Sequence, residues 1–241
     1  MYSDMFCKIY NELGWNSFPE FFGRELVSWI REQEQPIASC LDLACGTGIL
    51  CGILAEAGLD VCGSDISEGM IHIARERYPG ISFEIADMTC LHPGRRRDLV
   101  TCTGDALNHI LEPEDLEKVF RSVRESLMPG GWFVFDILRE EGVPDPEPFE
   151  FDDASGTHVR FQVVRDAQSL THLQVRAEES GKPVVEEDIT ERLYEPDEIS
   201  SMLKAAGFSP VFYQDRPFGR GKAGTSWFFQ ARVPQDKSRD I

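Results

Sequence analysis

An apolar segment runs directly into a turn of small residues near the start of the chain, in Leu41-Asp42-Leu43-Ala44-Cys45-Gly46-Thr47-Gly48. The apolar part is typical of a buried parallel strand, and the residues from Ile49 to Ala57 favour a helix directly after the turn. Small residues at positions 44, 46 and 48 let the backbone approach a ligand and let the strand and helix pack closely. The free N–H groups that begin the helix would face that ligand. The segment therefore predicts a strand–turn–helix unit with a ligand at its turn.

A carboxylate, Asp65, ends a second short apolar strand 17 residues after Gly48. An acidic side chain about 20 residues beyond such a turn can accept hydrogen bonds from both ribose hydroxyls of a nucleoside. The alternative role is to cap the helix that follows from residue 68, but Ser67 already fills that position. A dinucleotide fingerprint would place its third glycine at position 49, where this chain has Ile49, so the turn does not match that fingerprint.

The order of these and later features resembles the class I S-adenosylmethionine-dependent methyltransferases. The [Gly/Ala]-x-Gly-x-Gly turn resembles the first motif of that family. Asp87-Met88 follows a third strand, and Gly104-Asp105-Ala106-Leu107-Asn108-His109 follows a fourth. The run from Met128 to Asp136 resembles the turn and fifth strand that come after a helix in the family. Four such signals in order favour this family over a dinucleotide-binding enzyme.

The resemblance implies an α/β fold with a doubly wound, Rossmann-like sheet of seven strands, of which the last two form an antiparallel pair. A small antiparallel β insertion interrupts it, because alternating segments and turn signals occupy the range 149–193 after a proline-rich connector. We expect an N-terminal helical cap over 1–37, a cofactor-binding core over 38–137 and 194–233, and the insertion over 138–193. The insertion is expected to cover the acceptor site.

The resemblance also implies which residues form the site. The expected contacts to S-adenosylmethionine are Tyr10, Asp42, Ala44, Cys45, Gly46, Gly48, Asp65, Ile66, Asp87, Met88 and Thr103. Asp87 would meet the adenine amino group and Met88 would pack on the ring. The loop after the fourth strand lies nearest the transferred methyl group in this family, so Asp105 and His109 are candidate catalytic residues.

Tyr2 and Asn108 are candidate substrate contacts. Each candidate has a structural alternative: Asp105 could cap the short helix after it, His109 could be a core histidine, and the two tyrosines at positions 2 and 10 could simply pack. Cys45 is interpreted as a packing residue, because no base is apparent beside it to activate a nucleophile.

The N-terminal segments Tyr2-Ser3-Asp4-Met5-Phe6 and Ile9-Tyr10-Asn11-Glu12-Leu13 resemble the opening of glycine and amino-sugar N-methyltransferases. The chain lacks the Asp-Pro-Pro-Tyr or Asn-Pro-Pro-Tyr tetrapeptide expected for methylation of DNA bases or glutamine. It also lacks the Pro-Cys pair expected for cytosine carbon-5 methylation. These features favour a small-molecule acceptor.

The 42 acidic and 24 basic residues give a formal charge of −18, which repels phosphate backbones and anionic lipid surfaces. We therefore expect neither nucleic acid nor a membrane as partner. The protein is expected to be a monomer or homodimer. The seven cysteines form no C-x-x-C pair, so neither a metal site nor a disulfide framework is predicted, and a reducing cytoplasm is expected.

The leading hypothesis is an enzyme that transfers a methyl group from S-adenosylmethionine to a nitrogen or oxygen of a small molecule. One alternative is a non-catalytic S-adenosylmethionine sensor or complex subunit, which would keep the same cofactor motifs. Another is a different nucleotide-utilising Rossmann-type enzyme, which Ile49 and the Asp87-Met88 pair disfavour.

Overall fold

The computed structural model describes residues 2–3, 6–7, 10, 14–91, 94–143, 147–152, 156–166, 170–220 and 224–235. The helices are α1 (Ser17–Arg31), α2 (Ile49–Glu56), α3 (Glu68–Arg77), α4 (Pro113–Ser126) and α5 (Pro196–Ala205). The strands are β1 (Ser39–Leu43), β2 (Asp60–Asp65), β3 (Ser82–Ile85), β4 (Arg97–Cys102), β5 (Leu127–Leu138), β6 (Phe149–Asp152), β7 (His158–Arg165), β8 (Leu170–Glu178), β9 (Val185–Arg192), β10 (Val211–Gln214) and β11 (Ser226–Arg232).

The larger sheet has seven strands in the order β10-β11-β5-β4-β1-β2-β3. Strands β1 to β5 pair in parallel, and β11 runs antiparallel to both of its neighbours, β5 and β10. The chain order reverses at β1, next to β4, which in open α/β sheets marks the point where ligands bind. The expected fold class is confirmed, including the antiparallel strands at the end of the sheet.

Two apolar clusters lie on opposite faces of this sheet. Along β5, Phe133 and Phe135 belong to the cluster that α4 and α5 cover, whereas Trp132 and Val134 belong to the cluster that α1, α2 and α3 cover. This alternation follows from the period of two in an extended strand. Phe135 also stacks on Phe229 of β11 with ring centroids 4.8 Å apart, which packs the antiparallel strand firmly against its parallel neighbour.

The predicted insertion forms a separate antiparallel sheet in the order β6-β7-β8-β9. Its apolar face packs on the N-terminal segment, where Phe6 is fully buried among Val159, Val175 and Ile189. Of the predicted N-terminal cap, α1 and the helical residues 6–7 are described, while residues 1, 4, 5, 8, 9 and 11–13 lie outside the described residues. The N-terminal segment and the second sheet therefore support one another.

The amide of Asn108 joins the second sheet to the larger one. Its Nδ2 donates to the carbonyl oxygen of Arg192 at 2.7 Å, and its Oδ1 accepts from the backbone N–H of Leu138 at 2.9 Å. Leu138 ends β5, where the chain leaves the core, and Arg192 ends β9, where it returns. One buried side chain thus connects the two ends of the segment that forms the second sheet.

Within the described ranges, no helix combines the length and the apolar composition needed to cross a membrane.

Candidate active site

The glycine turn after β1 has the backbone conformation that its small residues permit. Gly46 and Gly48 have φ values of 52° and 79°, and Ala44 also has a positive φ of 50°. A Cβ atom on Gly48 would lie 3.0 Å from the ring of Phe83 and 3.1 Å from Ala74, which is tighter than ordinary contact. Gly48 therefore serves the close packing of α2, whereas the residues from Ala44 to Gly46 border the cavities beside the turn.

Asp65 holds this turn in place from the end of β2. Its Oδ2 accepts from the backbone N–H of Gly46 at 2.9 Å, and its Oδ1 accepts from the N–H of Ser67 at 2.8 Å. Ser67 caps α3 by accepting from the N–H of Met70, as the sequence predicted. Because a carboxylate has about four acceptor positions, both oxygens of Asp65 keep capacity for a ligand.

Two adjoining cavities of about 390 and 360 Å³ open beside the turn. The glycine turn and the loop after β4 form one wall, and the N-terminal segment and second sheet form the other. The predicted site residues that line one or both cavities are Tyr2, Tyr10, Asp42, Ala44, Cys45, Gly46, Asp65, Ile66, Met88, Thr103, Asp105 and His109. The structure thus brings together twelve of the fifteen residues selected from the sequence.

Gly48, Asp87 and Asn108 are not among the residues that line these cavities. Asp87 is exposed, and its Oδ1 accepts from both the backbone N–H and the hydroxyl of Thr89 at 2.8 Å. Asn108 is fully buried, and its amide is used at both ends in the connection between the two sheets. The structure therefore gives Asn108 a structural role, and its contact with the substrate stays a prediction.

Asp105 occupies a strained position in the loop after β4. Its φ of 52° places a non-glycine residue in the left-handed region, and its side chain makes no capping hydrogen bond to the helix Ala106–His109. Asp136 fixes the loop by accepting from the N–H groups of Gly104 and Asp105 at 2.8 and 3.3 Å. Strain of this kind concentrates at functional sites. The alternative of a helix cap made by the Asp105 side chain therefore has no hydrogen bond to support it.

A carboxylate from the second sheet, Glu191, lies opposite Asp105. Its Oε1 is 3.8 Å from Nε2 of His109, and ligand atoms of Asp105, His109 and Glu191 all lie within 4.8 Å of one another. Tyr2 places its hydroxyl 3.5 Å from the same Nε2. The sequence predicted no metal site, yet these three side chains are a set that could hold a cation.

Burial sets the protonation of this group. It raises the pKa of Glu191 to about 7 and lowers that of His109 to about 4. It also raises the pKa of Asp105 well above its usual range, and the negative charges of Glu191 and Asp136 add to that effect. A carboxylate with a pKa near 7 is well matched to accepting a proton at neutral pH.

Sequence reasoning did not select Glu191 or its neighbour Thr171. Neither residue belongs to a motif, and both lie in strands whose exposed positions are polar as well. The one available signal was the period of two, because Thr171 and Leu173 on β8, and Ile189 and Glu191 on β9, share strand faces. Those residues all line the larger cavity.

The charge around the cavities is strongly one-sided. Carboxylates contribute to both linings, whereas no lysine or arginine is found among the described residues that line either cavity. The lining carboxylates are Asp42, Asp65, Asp105, Asp136, Glu187, Asp188 and Glu191. Such a site attracts cations and repels anions.

Protein stability is expected to depend on pH because of these buried carboxyls. Burial raises the pKa of Asp42 and Glu191 to about 7 and that of Asp136 to about 6. The folded state then keeps protons that the unfolded chain has already released above about pH 4.5, so the stability from these groups is lost as the pH rises through 6–7. His109 opposes this trend, since its pKa is lowered.

We expect the free energy of unfolding without ligand to fall by about 1–3 kcal/mol between pH 6 and pH 8, as measured by urea titration. Glu191→Gln should make the decline shallower, because the amide does not titrate. A free energy that stays level or increases over this interval contradicts the assignment of raised pKa values.

Comparison with known proteins identifies the family. A family described as "Methyltransferase domain" matches residues 40–131. The chain is 30% identical to the protein named "Putative methyltransferase YqeM" of Bacillus subtilis (strain 168), over 75% of this chain and 77% of that protein. It is 28% identical to the dTDP-3-amino-3,6-dideoxy-alpha-D-glucopyranose N,N-dimethyltransferase of Streptomyces fradiae, over 82% of this chain and 80% of that enzyme.

The fold agrees with a crystal structure of a S-adenosylmethionine-dependent methyltransferase from Clostridium acetobutylicum. The TM-score is 0.80 at 22% identity, and the match covers 88% of this chain and 91% of that one. Together with the glycine turn and Asp65, these similarities establish S-adenosylmethionine as the methyl donor. The chain belongs to the class I S-adenosylmethionine-dependent methyltransferases, and it transfers a methyl group to a nitrogen or oxygen atom of a small molecule.

Proposed function

We propose that the acceptor atom is the nitrogen of a small amine. The observation that carries this proposal is the group of Asp105, His109 and Glu191 at the two adjoining cavities, with no lysine or arginine among the described lining residues. An amine reaches the enzyme as an ammonium ion at neutral pH, and the carboxylates would attract that charge. A neutral hydroxyl would gain no comparable attraction. The similarity to an amino-sugar N,N-dimethyltransferase supports the same choice.

The methyl donor would be held by the turn from Ala44 to Gly46, by Asp65 and by the apolar side chains of Ile66 and Met88. The open space at Gly46, where an added Cβ would meet no atom within 4 Å, fits a ligand that approaches the backbone. Asp65 would receive the ribose hydroxyls on oxygens already oriented by the N–H groups of Gly46 and Ser67. We infer that Oδ2 of Asp87 receives the adenine amino group, because both bonds to Thr89 use Oδ1.

S-adenosylmethionine supplies an activated methyl group: the bond from the acceptor nitrogen to that carbon forms as the carbon–sulfur bond breaks. The protein must first remove a proton from the ammonium ion, because only the free lone pair is nucleophilic. Glu191 is the group we assign to accept this proton, since burial raises its pKa to about 7. Asp105 and His109 would orient the nitrogen. Holding two reactants in the correct geometry can lower the activation free energy by on the order of 7–11 kcal/mol.

We further propose that each of the three parts of the chain has its own role in binding the two substrates. The core over 38–137 and 194–233 binds the methyl donor, and the insertion over 138–193 covers the acceptor opposite the N-terminal cap of 1–37. Support comes from the shared lining of the cavity by Tyr2, Val163 and Asp105, one from each part. The formal charge of −18 supports an acceptor other than nucleic acid. We also propose that the enzyme acts in the cytoplasm as a monomer or homodimer.

A matched pair of acceptors tests the choice of nitrogen over oxygen. S-adenosylhomocysteine formation is measured with 3-amino-3-deoxy-D-glucose and with D-glucose, which differ only in the amino group. We expect methylation of the amine and at least about a hundredfold lower rate with the sugar, as for a site built to bind a polar group that the analogue lacks. Methylation of D-glucose at the same rate as the amino sugar would contradict the proposal. Binding of S-adenosylmethionine with no turnover on a broad panel of amines would favour the sensor alternative.

A further inference from the structure

We propose that Thr171 and Glu191 form an acceptor subsite on the second sheet, and that this subsite selects an amine without a phosphate or nucleotide group. The inference rests on the proposed function and specifies its substrate class. It also separates this chain from the Streptomyces fradiae relative, whose name specifies a dTDP-linked amino sugar.

The two residues are direct neighbours across the sheet. Thr171 on β8 is paired with Glu191 on β9, and both line the larger cavity. They are 2% and 7% exposed, respectively, so both polar groups are removed from bulk water. Leu173 and Ile189 extend the same strand face with apolar surface. This arrangement provides two polar anchors beside an apolar wall, as expected of a small-molecule site.

The hydroxyl of Thr171 makes no hydrogen bond to a described residue, and its Oγ1 is buried. A buried hydroxyl left in this way is unfavourable, because it has lost its hydrogen bonds to water and no protein group replaces them. A hydroxyl or amine on the bound acceptor would remove that cost. The unsatisfied oxygen therefore points to a polar ligand at this position.

The spacing of Asp105, His109 and Glu191 suits one ammonium ion. Ligand atoms of Asp105, His109 and Glu191 lie within 4.8 Å of one another. Acceptors around an N⁺–H group lie about 2.7–2.9 Å from the nitrogen, which for a tetrahedral arrangement separates them by roughly 4.6 Å. The three groups can thus surround one ammonium nitrogen.

A phosphate finds no partner in the same place. The described residues that line the two cavities include no lysine or arginine, and the arginines near the ends of the second sheet lie outside both linings. Arg139 stacks over Trp227 and lies 3.4 Å from a carboxylate oxygen of Glu141, although its Nε makes no hydrogen bond to a described residue. It lines a separate cavity of about 350 Å³, which Thr171 also borders. Arg192 donates to the carbonyl oxygen of Leu111. A diphosphate would enter a site of carboxylates without compensation, which opposes binding.

Calorimetric titration tests the subsite without relying on turnover. The protein is saturated with S-adenosylhomocysteine and titrated with 3-amino-3-deoxy-D-glucose, its 1-phosphate and its dTDP conjugate. We expect the unphosphorylated amine to bind at least about tenfold more tightly than either derivative, because each derivative adds negative charge. Equal or tighter binding of a phosphorylated form, or binding of none of the three, overturns the proposal.

Substitutions then test which side chains contribute to binding of the amine. Glu191→Gln is expected to weaken amine binding by about tenfold or more, and Thr171→Val by about fivefold, since a charge-assisted hydrogen bond contributes more than a neutral one. Glu186→Gln is the matched control, because Glu186 lies on the same strand but is exposed and pairs with Arg176. An unchanged affinity for S-adenosylhomocysteine in all three variants shows that the fold is intact. Unchanged amine binding in Glu191→Gln contradicts the subsite.

A metal ion is the competing occupant of the same group. Product formation is expected to survive EDTA, and titration with Mg²⁺, Mn²⁺ or Zn²⁺ should give no binding that Glu191→Gln removes. Loss of activity in EDTA with recovery on adding a divalent ion would reassign the group to a metal. These outcomes are separable from a failure of the proposed function, in which D-glucose is methylated and the amine is not.

Discussion

Replacement of residues 149–193 by a short linker is expected to abolish methyl transfer while S-adenosylmethionine still binds. The second sheet supplies Val163, Thr171 and Glu191 to the wall of the larger cavity, where we propose that the acceptor binds, whereas the glycine turn and Asp65 belong to the core. Transfer without a covered acceptor would lose the orientation and the exclusion of water that accelerate it. The measurements are calorimetric binding of S-adenosylmethionine and S-adenosylhomocysteine formation with an accepted amine.

The matched control shortens only the turn over 179–183, which joins β8 to β9. This variant should keep both binding and transfer. Because removal of the whole sheet uncovers Phe6, Leu173→Glu is a second variant that places a charge on the cavity wall without removing any strand. Normal transfer by the linker variant would mean that the insertion only extends the surface.

Asp65→Ala is expected to weaken S-adenosylmethionine binding by about 1.5–3 kcal/mol for each charge-assisted hydrogen bond that the ribose loses. The same change releases the N–H groups of Gly46 and Ser67, so the turn also loses its anchor. Affinity is measured by calorimetry, and Tm is measured in parallel to separate binding from stability.

Asp60→Ala provides the control at the opposite end of the same strand. Asp60 is exposed and pairs with Arg95 and Arg97, and surface pairs of this kind contribute about 0–1 kcal/mol. Its loss should leave the affinity for S-adenosylmethionine unchanged. If Asp65→Ala binds as tightly as the native protein, the ribose contact is assigned to the wrong residue.

The larger sheet could be predicted from the sequence because its signals are local. Strands β1 and β2 each lead directly into a helix, α2 and α3, and the turn of small residues and the cap residue between them can be read from the sequence. Ser67 illustrates this: a cap residue placed before Glu68 predicts the start of α3, and the structure has that hydrogen bond. The antiparallel insertion was recognisable for the same reason, since alternation and turn residues are also local.

The acceptor side of the cavity could not be predicted in this way. Glu191 lies 82 residues beyond His109 in the sequence, and only the return of β9 toward the loop after β4 brings them within 3.8 Å. Asn108 shows the converse: its residue type and its loop favoured a ligand contact, but two backbone groups from distant strands occupy its amide. Which partner a polar side chain finds depends on the tertiary structure.

The position of Asn108 has a consequence for how this enzyme can diversify. Its amide binds the backbone at Leu138, where the chain leaves the core, and at Arg192, where it comes back to the core. The segment between these two residues is therefore attached to the core at two fixed points. Strands of different length or composition could be exchanged there without moving the methyl-donor half. If the proposed function holds, a change of acceptor needs a change only in the segment between Leu138 and Arg192, because the amide of Asn108 holds both ends of any replacement at the core.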